Sequence, residues 1–87
     1  MANQYLESKK ADAKIHIDSL IEFAMEVAPE KTREEVIAVV KNVTAKEYSR
    51  MRIKCNSLPK FDTDEMVQNV KTACFMCRLQ MDYAQTL

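Results

Sequence analysis

The chain has 87 residues, 47% of them hydrophobic, and a formal net charge of zero, which predicts one folded domain over 1–87 and excludes a disordered tail. It contains no glycine and two prolines, which excludes a glycine-rich phosphate-binding loop and argues against a fold built from β-hairpins. Three cysteines and the absence of a signal-peptide pattern favour reduced thiols and a cytoplasmic location, and no apolar run approaches the roughly 20 residues of a membrane span.

The first predicted helix runs from about residue 3 to 27. Its apolar positions recur mostly in steps of three and four, the period of a helix with one buried side. They are Leu6, Ala13, Ile17, Leu20, Ala24 and Val27. Pro29 follows, at a position where proline commonly stands after a helix.

The second predicted helix runs from about residue 33 to 55. Thr32 and Glu35 have the spacing of a capping box, in which each side chain bonds to the backbone of the other residue. Its stripe consists of Ile37, Val40, Thr44, Tyr48, Met51 and Cys55. The valine content favours a strand, but the cap, the length and the period together predict a helix, which we expect to end before Pro59.

The third predicted helix runs from about residue 63 to 85. Asp64 and Glu65 stand in its first turn, where acidic side chains stabilise the positive end of the helix dipole. Its apolar residues alternate strictly in steps of three and four, which is typical of a coiled-coil seam. They are Val67, Val70, Cys74, Cys77, Met81 and Ala84.

Two short connections between three long helices predict an all-α fold, an antiparallel up-down-up three-helix bundle. The alternative is a helical hairpin plus a third helix whose core is completed only by dimerisation. Counting back from the connections places residue 44 level with about residue 75. Ile17, either Val43 or Thr44, and Cys74 are therefore expected to share one layer of the core.

The third helix carries more apolar residues than one seam requires. Phe75, Met76, Leu79 and Tyr83 fall on the side opposite the seam, which predicts an exposed patch that binds a partner. On the second helix, three valines also lie away from the stripe: Val36, Val39 and Val43. These residues predict docking to another protein or to a second copy, and the alternative is that they belong to a wider core.

The valine face of the second helix continues into a basic stripe, Lys46, Arg50 and Lys54. Residues 41–60 carry a net charge of +5, whereas residues 1–30 carry −3. The stripe is interpreted as a solvated face, as a contact for an acidic protein surface, or as a site for nucleic-acid phosphates. The acidic first helix of a second copy is one candidate for such an acidic surface.

The motif Cys74-Phe75-Met76-Cys77 lies in the middle of a predicted helix, whereas a reactive pair with this spacing needs a helix N-terminus. Buried structural cysteines are therefore expected. Cys55 is predicted to lie about 15 Å along the axis from Cys74, too far for a disulfide or a shared metal. A metal site formed by both cysteines of the motif with His16 and Asp12 is a minor alternative, and we expect no metal and no cofactor.

No serine can be paired with a base from the sequence, and the acidic pairs are explained by helix starts. The sequence therefore predicts a non-catalytic helical protein–protein interaction module and no enzyme. We expect it to act as a homodimeric regulator, inhibitor or adaptor. The alternative function is a nucleic-acid-binding regulator that uses the basic stripe.

Overall fold

The computed structural model describes residues 2–57 and 63–87, with side chains from residue 4 onward. It contains three helices, α1 (Ala2–Val27), α2 (Arg33–Asn56) and α3 (Asp64–Gln85), and no strand within the described residues. The all-α prediction is therefore confirmed. The predicted stop at Pro59 lies outside the described residues. Within the described chain, no helix is long and apolar enough to cross a membrane.

Local side-chain hydrogen bonds define where α2 and α3 begin. The Thr32 hydroxyl accepts from the Glu35 N–H at 3.2 Å, and the Glu35 carboxylate accepts from the Thr32 N–H at 3.2 Å. Because the backbone and side chain of Thr32 both bond to this carboxylate, they hold the pKa of Glu35 below its usual value. Thr63 caps α3, accepting from the Met66 N–H at 3.2 Å. The predicted capping box is confirmed.

The core lies where the second half of α1, the first half of α2 and the end of α3 meet. Its buried cluster consists of Ile17, Ile21, Val36, Val40 and Ala84. The side chains of both isoleucines are fully buried. Five partly buried side chains surround the cluster: Leu20, Ala24, Met25, Ile37 and Tyr83.

Helix α3 packs against both other helices, whereas α1 and α2 touch each other less. On the side of α1, the ring of Phe75 stacks on Tyr5 with the ring centroids 6.5 Å apart. On the side of α2, the Gln85 side-chain amide donates to the Lys41 carbonyl at 3.5 Å. These contacts are compatible with the predicted up-down-up order, and they require α3 to bury two of its sides.

The pairing of α2 with α3 differs from the predicted layers. Thr44 lines one small pocket with His16 and Ile17, and the α3 residues in this pocket are Cys77 and Gln80. These two residues of α3 lie two and five positions beyond the predicted level of about residue 75. A register counted from helix ends ignores the fit of side chains between the helices, and that fit determines the observed pairing.

Candidate docking surface

The predicted patch on α3 faces α1 and is largely covered. Leu79 is only 8% exposed, and Phe75, Met76 and Tyr83 are partly buried. The expectation that Leu79 is exposed is wrong, because α3 lies against two helices and its second apolar side meets α1. Val36, also predicted to bind a partner, is 3% exposed and belongs to the core cluster.

One hydrogen bond joins this side of α3 to α1. The Tyr83 hydroxyl donates to an Asp18 carboxylate oxygen at 2.7 Å. This hydrogen bond raises the pKa of Tyr83 above its usual value, with smaller contributions from burial and from the negative charge of Asp18. Asp18 is thereby engaged within its own chain, which leaves the exposed glutamates of α1 as the acidic groups for a partner.

Replacing Tyr83 with Phe is expected to lower the free energy of unfolding by about 1 kcal/mol, because it removes a partly buried hydrogen bond to a carboxylate. Because the pKa of Tyr83 is raised in the folded state, this contribution is present at neutral pH. It should disappear as the pH rises above about 10, the ordinary pKa of tyrosine. Urea titrations at neutral and alkaline pH measure both effects. The same substitution at exposed Tyr5 is the control, and an equal loss of stability in both variants would contradict the prediction.

Large apolar side chains are exposed on the opposite side of the molecule, along α1 and α2. Phe23 and Val27 are 63% and 67% exposed, one turn apart on α1. Val39 and Val43 are 55% and 50% exposed, one turn apart on α2. The last two were predicted to be exposed and partner-binding, and the structure shows their exposure. Val27 was predicted to face the core and does not.

Three of these residues, Phe23, Val27 and Val39, border a groove between the two helices, which we call the α1–α2 groove. It has a volume of about 360 Å³ and is lined by Leu20, Phe23, Ala24, Val27, Ala28, Lys31, Val36, Val39 and Val40. Leu20 also lines the neighbouring pocket that contains Val43, so the apolar surface is continuous. Phe23, Val27, Val39 and Val43 are each at least half exposed, and apolar side chains exposed together are a common feature of interaction sites.

Charged residues of both signs stand near the groove. On α1, Glu22 precedes Phe23 and Glu26 precedes Val27 in the sequence. Glu30 follows the end of the helix. On α2, the predicted basic stripe of Lys46, Arg50 and Lys54 is exposed, although Arg50 forms an ion pair with Glu47. The lining of the groove itself contains Lys31, the exposed glutamates lie outside that lining, and the basic stripe lies farther along α2.

The cysteines are arranged differently from the prediction. The pKa of Cys74 is raised chiefly by burial and further by Cys55, which indicates that the two cysteines lie nearer to each other than the predicted separation of about 15 Å. The described residues contain no cluster of three or more histidine, cysteine or acidic side chains that could hold a metal ion. The minor alternative of a metal site that includes His16 and Asp12 therefore has no geometric support.

Phe23 is the candidate residue that the sequence analysis missed. It stands between Glu22 and Ala24 and outside the apolar stripe of the first helix. The available signal was its spacing of four residues from Val27, which places two large apolar side chains together on one face.

Comparison with known proteins finds no matching family model, no matching curated protein and no matching solved structure.

Proposed function

We propose that the chain is an up-down-up three-helix bundle without catalytic activity that binds a second copy of itself through the α1–α2 groove. In this role it acts as a small dimeric regulator, inhibitor or adaptor in the cytoplasm. The observation that carries the proposal is the exposure of Phe23, Val27 and Val39 along one groove, with the exposed Val43 one turn farther along α2. Apolar side chains that are exposed together are costly to leave in water and are a common feature of interaction sites.

The valines of α2 favour a second copy as the occupant. In a two-fold dimer the same surface is used by both subunits, and two antiparallel α2 helices would pair Val39 with Val43 across the axis. Residues 46–50 of one copy then lie beside residues 32–36 of the other. Glu26 and Glu30 lie at that end of the subunit, because α1 ends at Val27 and α2 begins at Arg33.

The charges of the two copies are therefore complementary in this arrangement. The basic side chains of Lys46 and Arg50 approach the exposed acidic side chains of Glu26 and Glu30 of the other copy. Such pairs at the rim of an interface contribute to orientation and specificity more than to affinity. A stable interface buries about 800 Å² on each partner, to which the apolar groove and the charged residues around it would both contribute.

Nucleic-acid binding through Lys46, Arg50 and Lys54 is the weaker candidate. All three side chains are exposed, but Glu47 pairs with Arg50 and reduces the local positive charge. Three phosphate contacts would give modest affinity that falls steeply as salt rises. Failure of the wild-type chain to dimerise, with salt-sensitive binding to a duplex oligonucleotide, would replace the dimer by this function.

Replacing Phe23 with Glu is expected to weaken self-association by at least about 30-fold, because it places a charge among the apolar residues of the interface. Sedimentation equilibrium over a wide range of protein concentration measures the dimer–monomer equilibrium. Circular dichroism should show unchanged helicity, since Phe23 is largely exposed in the single chain.

Replacing Ile15 with Glu is the matched control. Ile15 is 64% exposed on the same helix but does not line the α1–α2 groove, so this variant should dimerise like the wild-type chain. A wild-type chain that stays monomeric at high concentration, or two variants that dimerise equally well, would overturn the proposal.

A further inference from the structure

We propose that Met25 is a reversible oxidation site whose sulfoxide is bound by Arg33. The guanidinium Nη1 of Arg33 donates to the Sδ atom of Met25 at 3.8 Å. This contact joins the last turn of α1 to the first residue of α2 across the connection between them. A small peroxide reaches the sulfur, because Met25 is only partly buried and Arg33 is exposed.

The side chain of Met25 lies at the boundary between the core and solvent. It packs against the buried cluster that contains Ile17 and Ile21, whereas its sulfur contacts a charged donor at the surface. A thioether is a weak hydrogen-bond acceptor, and oxidation converts it into a polar sulfoxide. A sulfoxide oxygen beside an apolar cluster is costly unless a donor binds it. The effect of oxidation on stability therefore depends on Arg33.

The guanidinium of Arg33 is suited to bind a sulfoxide oxygen, because it presents five N–H donors in a planar fork. None of the ion pairs among the described residues includes Arg33, so no carboxylate competes for these donors there. An oxygen added to Sδ on this side would stand between Sδ and Nη1, which are 3.8 Å apart. It would lie at about 2.9 Å from Nη1, the usual length of an N–H···O bond, without movement of either helix.

The reaction is a two-electron oxidation of the thioether by hydrogen peroxide. A sulfur lone pair attacks one peroxide oxygen and the O–O bond breaks. The other oxygen leaves as hydroxide, which takes the proton of the transferred hydroxyl and becomes water. A cationic donor beside the sulfur stabilises the departing hydroxide. A methionine sulfoxide reductase, with thiols as the source of two electrons, restores the thioether and releases the oxygen as water.

Met66 is the comparison within the same chain. Its side chain is 45% exposed, and no hydrogen bond to its sulfur is present among the described residues. A sulfoxide at this position stays in water, so its formation should change stability little. Met25 therefore differs from Met66 in having a partner for its sulfoxide within the fold, and the rate of oxidation is not the distinguishing property.

Oxidation is measured by mass spectrometry of tryptic peptides after treatment with hydrogen peroxide at low protein concentration. Peptide 15–31 contains Met25 as its only methionine and no cysteine, and peptide 61–71 contains Met66 in the same way. We expect each peptide to gain one oxygen atom and to lose it again on incubation with methionine sulfoxide reductases of both epimer specificities.

The role of Arg33 is measured by urea titration of each protein before and after oxidation. Oxidation should raise the unfolding equilibrium constant at least about tenfold more in Arg33→Leu than in the wild-type chain, because a hydrogen bond to a charged group is lost. Arg52→Leu is the matched control, since it removes the same charge from another exposed position of α2. It should respond to oxidation like the wild-type chain.

The Met25→Leu substitution, made in the wild-type chain and in Arg33→Leu, subtracts the oxidation of all other residues. The tenfold difference should vanish between these two proteins. A peptide 15–31 that stays unoxidised when peptide 61–71 is fully oxidised, an equal response of Arg33→Leu and Arg52→Leu, or a difference that persists without Met25 would overturn the proposal. Each comparison concerns single chains at low concentration, so failure of this test leaves the dimer proposal untouched.

Discussion

Replacing Leu79 with Glu is expected to unfold most of the protein rather than to abolish binding by an intact fold. Leu79 is 8% exposed and lies on the side of α3 that α1 covers. The substitution removes a buried leucine side chain and requires a carboxylate to be desolvated without a partner, two effects that together cost several kcal/mol. A domain of this length is stabilised by only about 4–13 kcal/mol in total.

Circular dichroism during urea titration measures this effect. The Gln68→Glu variant is the control, because it adds the same charge to α3 at an exposed position. We expect the control to stay within about 0.5 kcal/mol of the wild-type chain. A Leu79→Glu variant with wild-type helicity and an unchanged unfolding midpoint would show that α1 does not cover this side of α3 in solution.

The helices and their starts were predictable because they depend on neighbours in the sequence. The capping box at Thr32 and Glu35 needs only residues three positions apart, and both of its hydrogen bonds are present. The predicted bounds of the three helices lie within one residue of the observed bounds, since apolar periodicity and turn residues are local signals. Ile17 and Val40 were likewise predicted to face the core, and both are buried.

The second apolar side of α3 was misinterpreted because periodicity does not reveal how many helices a helix contacts. Leu79 and Tyr83 lie opposite the seam, and the sequence analysis assigned one buried side to each helix. In the structure α3 contacts both α1 and α2, so residues opposite its seam are also covered. The predicted separation of Cys55 and Cys74 has a different origin, because it was counted from the connection between the helices.

The docking surface was predicted only on its α2 side. Val39 and Val43 were identified from their position away from the core stripe, whereas Val27 was assigned to the core because it continues the period of α1. The helix extends beyond the packed cluster, which includes Ile17, Ile21 and the partly buried Ala24, so the side chain of Val27 stands in solvent. The residue beyond which the side chains of a helix are no longer covered depends on the neighbouring helices. The sequence of the helix alone does not reveal that residue.

Replacing Ile21 with Ala is expected to lower the free energy of unfolding by about 2–5 kcal/mol. Ile21 is fully buried in the cluster that joins all three helices, so truncation leaves a cavity as well as removing apolar contacts. Urea titration followed by circular dichroism measures the change. In a domain of this size the upper end of the range would leave a substantial unfolded population at 37 °C.

The Ile15→Ala variant makes the same chemical change on the same helix at a position that is 64% exposed. It should change the free energy of unfolding by no more than about 0.5 kcal/mol. The difference between the two variants therefore measures the contribution of burial without that of helix propensity. Because Ile21 lies away from the lining of the α1–α2 groove, its truncation should weaken dimerisation only as far as it unfolds the chain. Equal losses at the two positions would mean that the core cluster does not hold the three helices together, and the α1–α2 groove would then lack the rigid support that a docking surface needs.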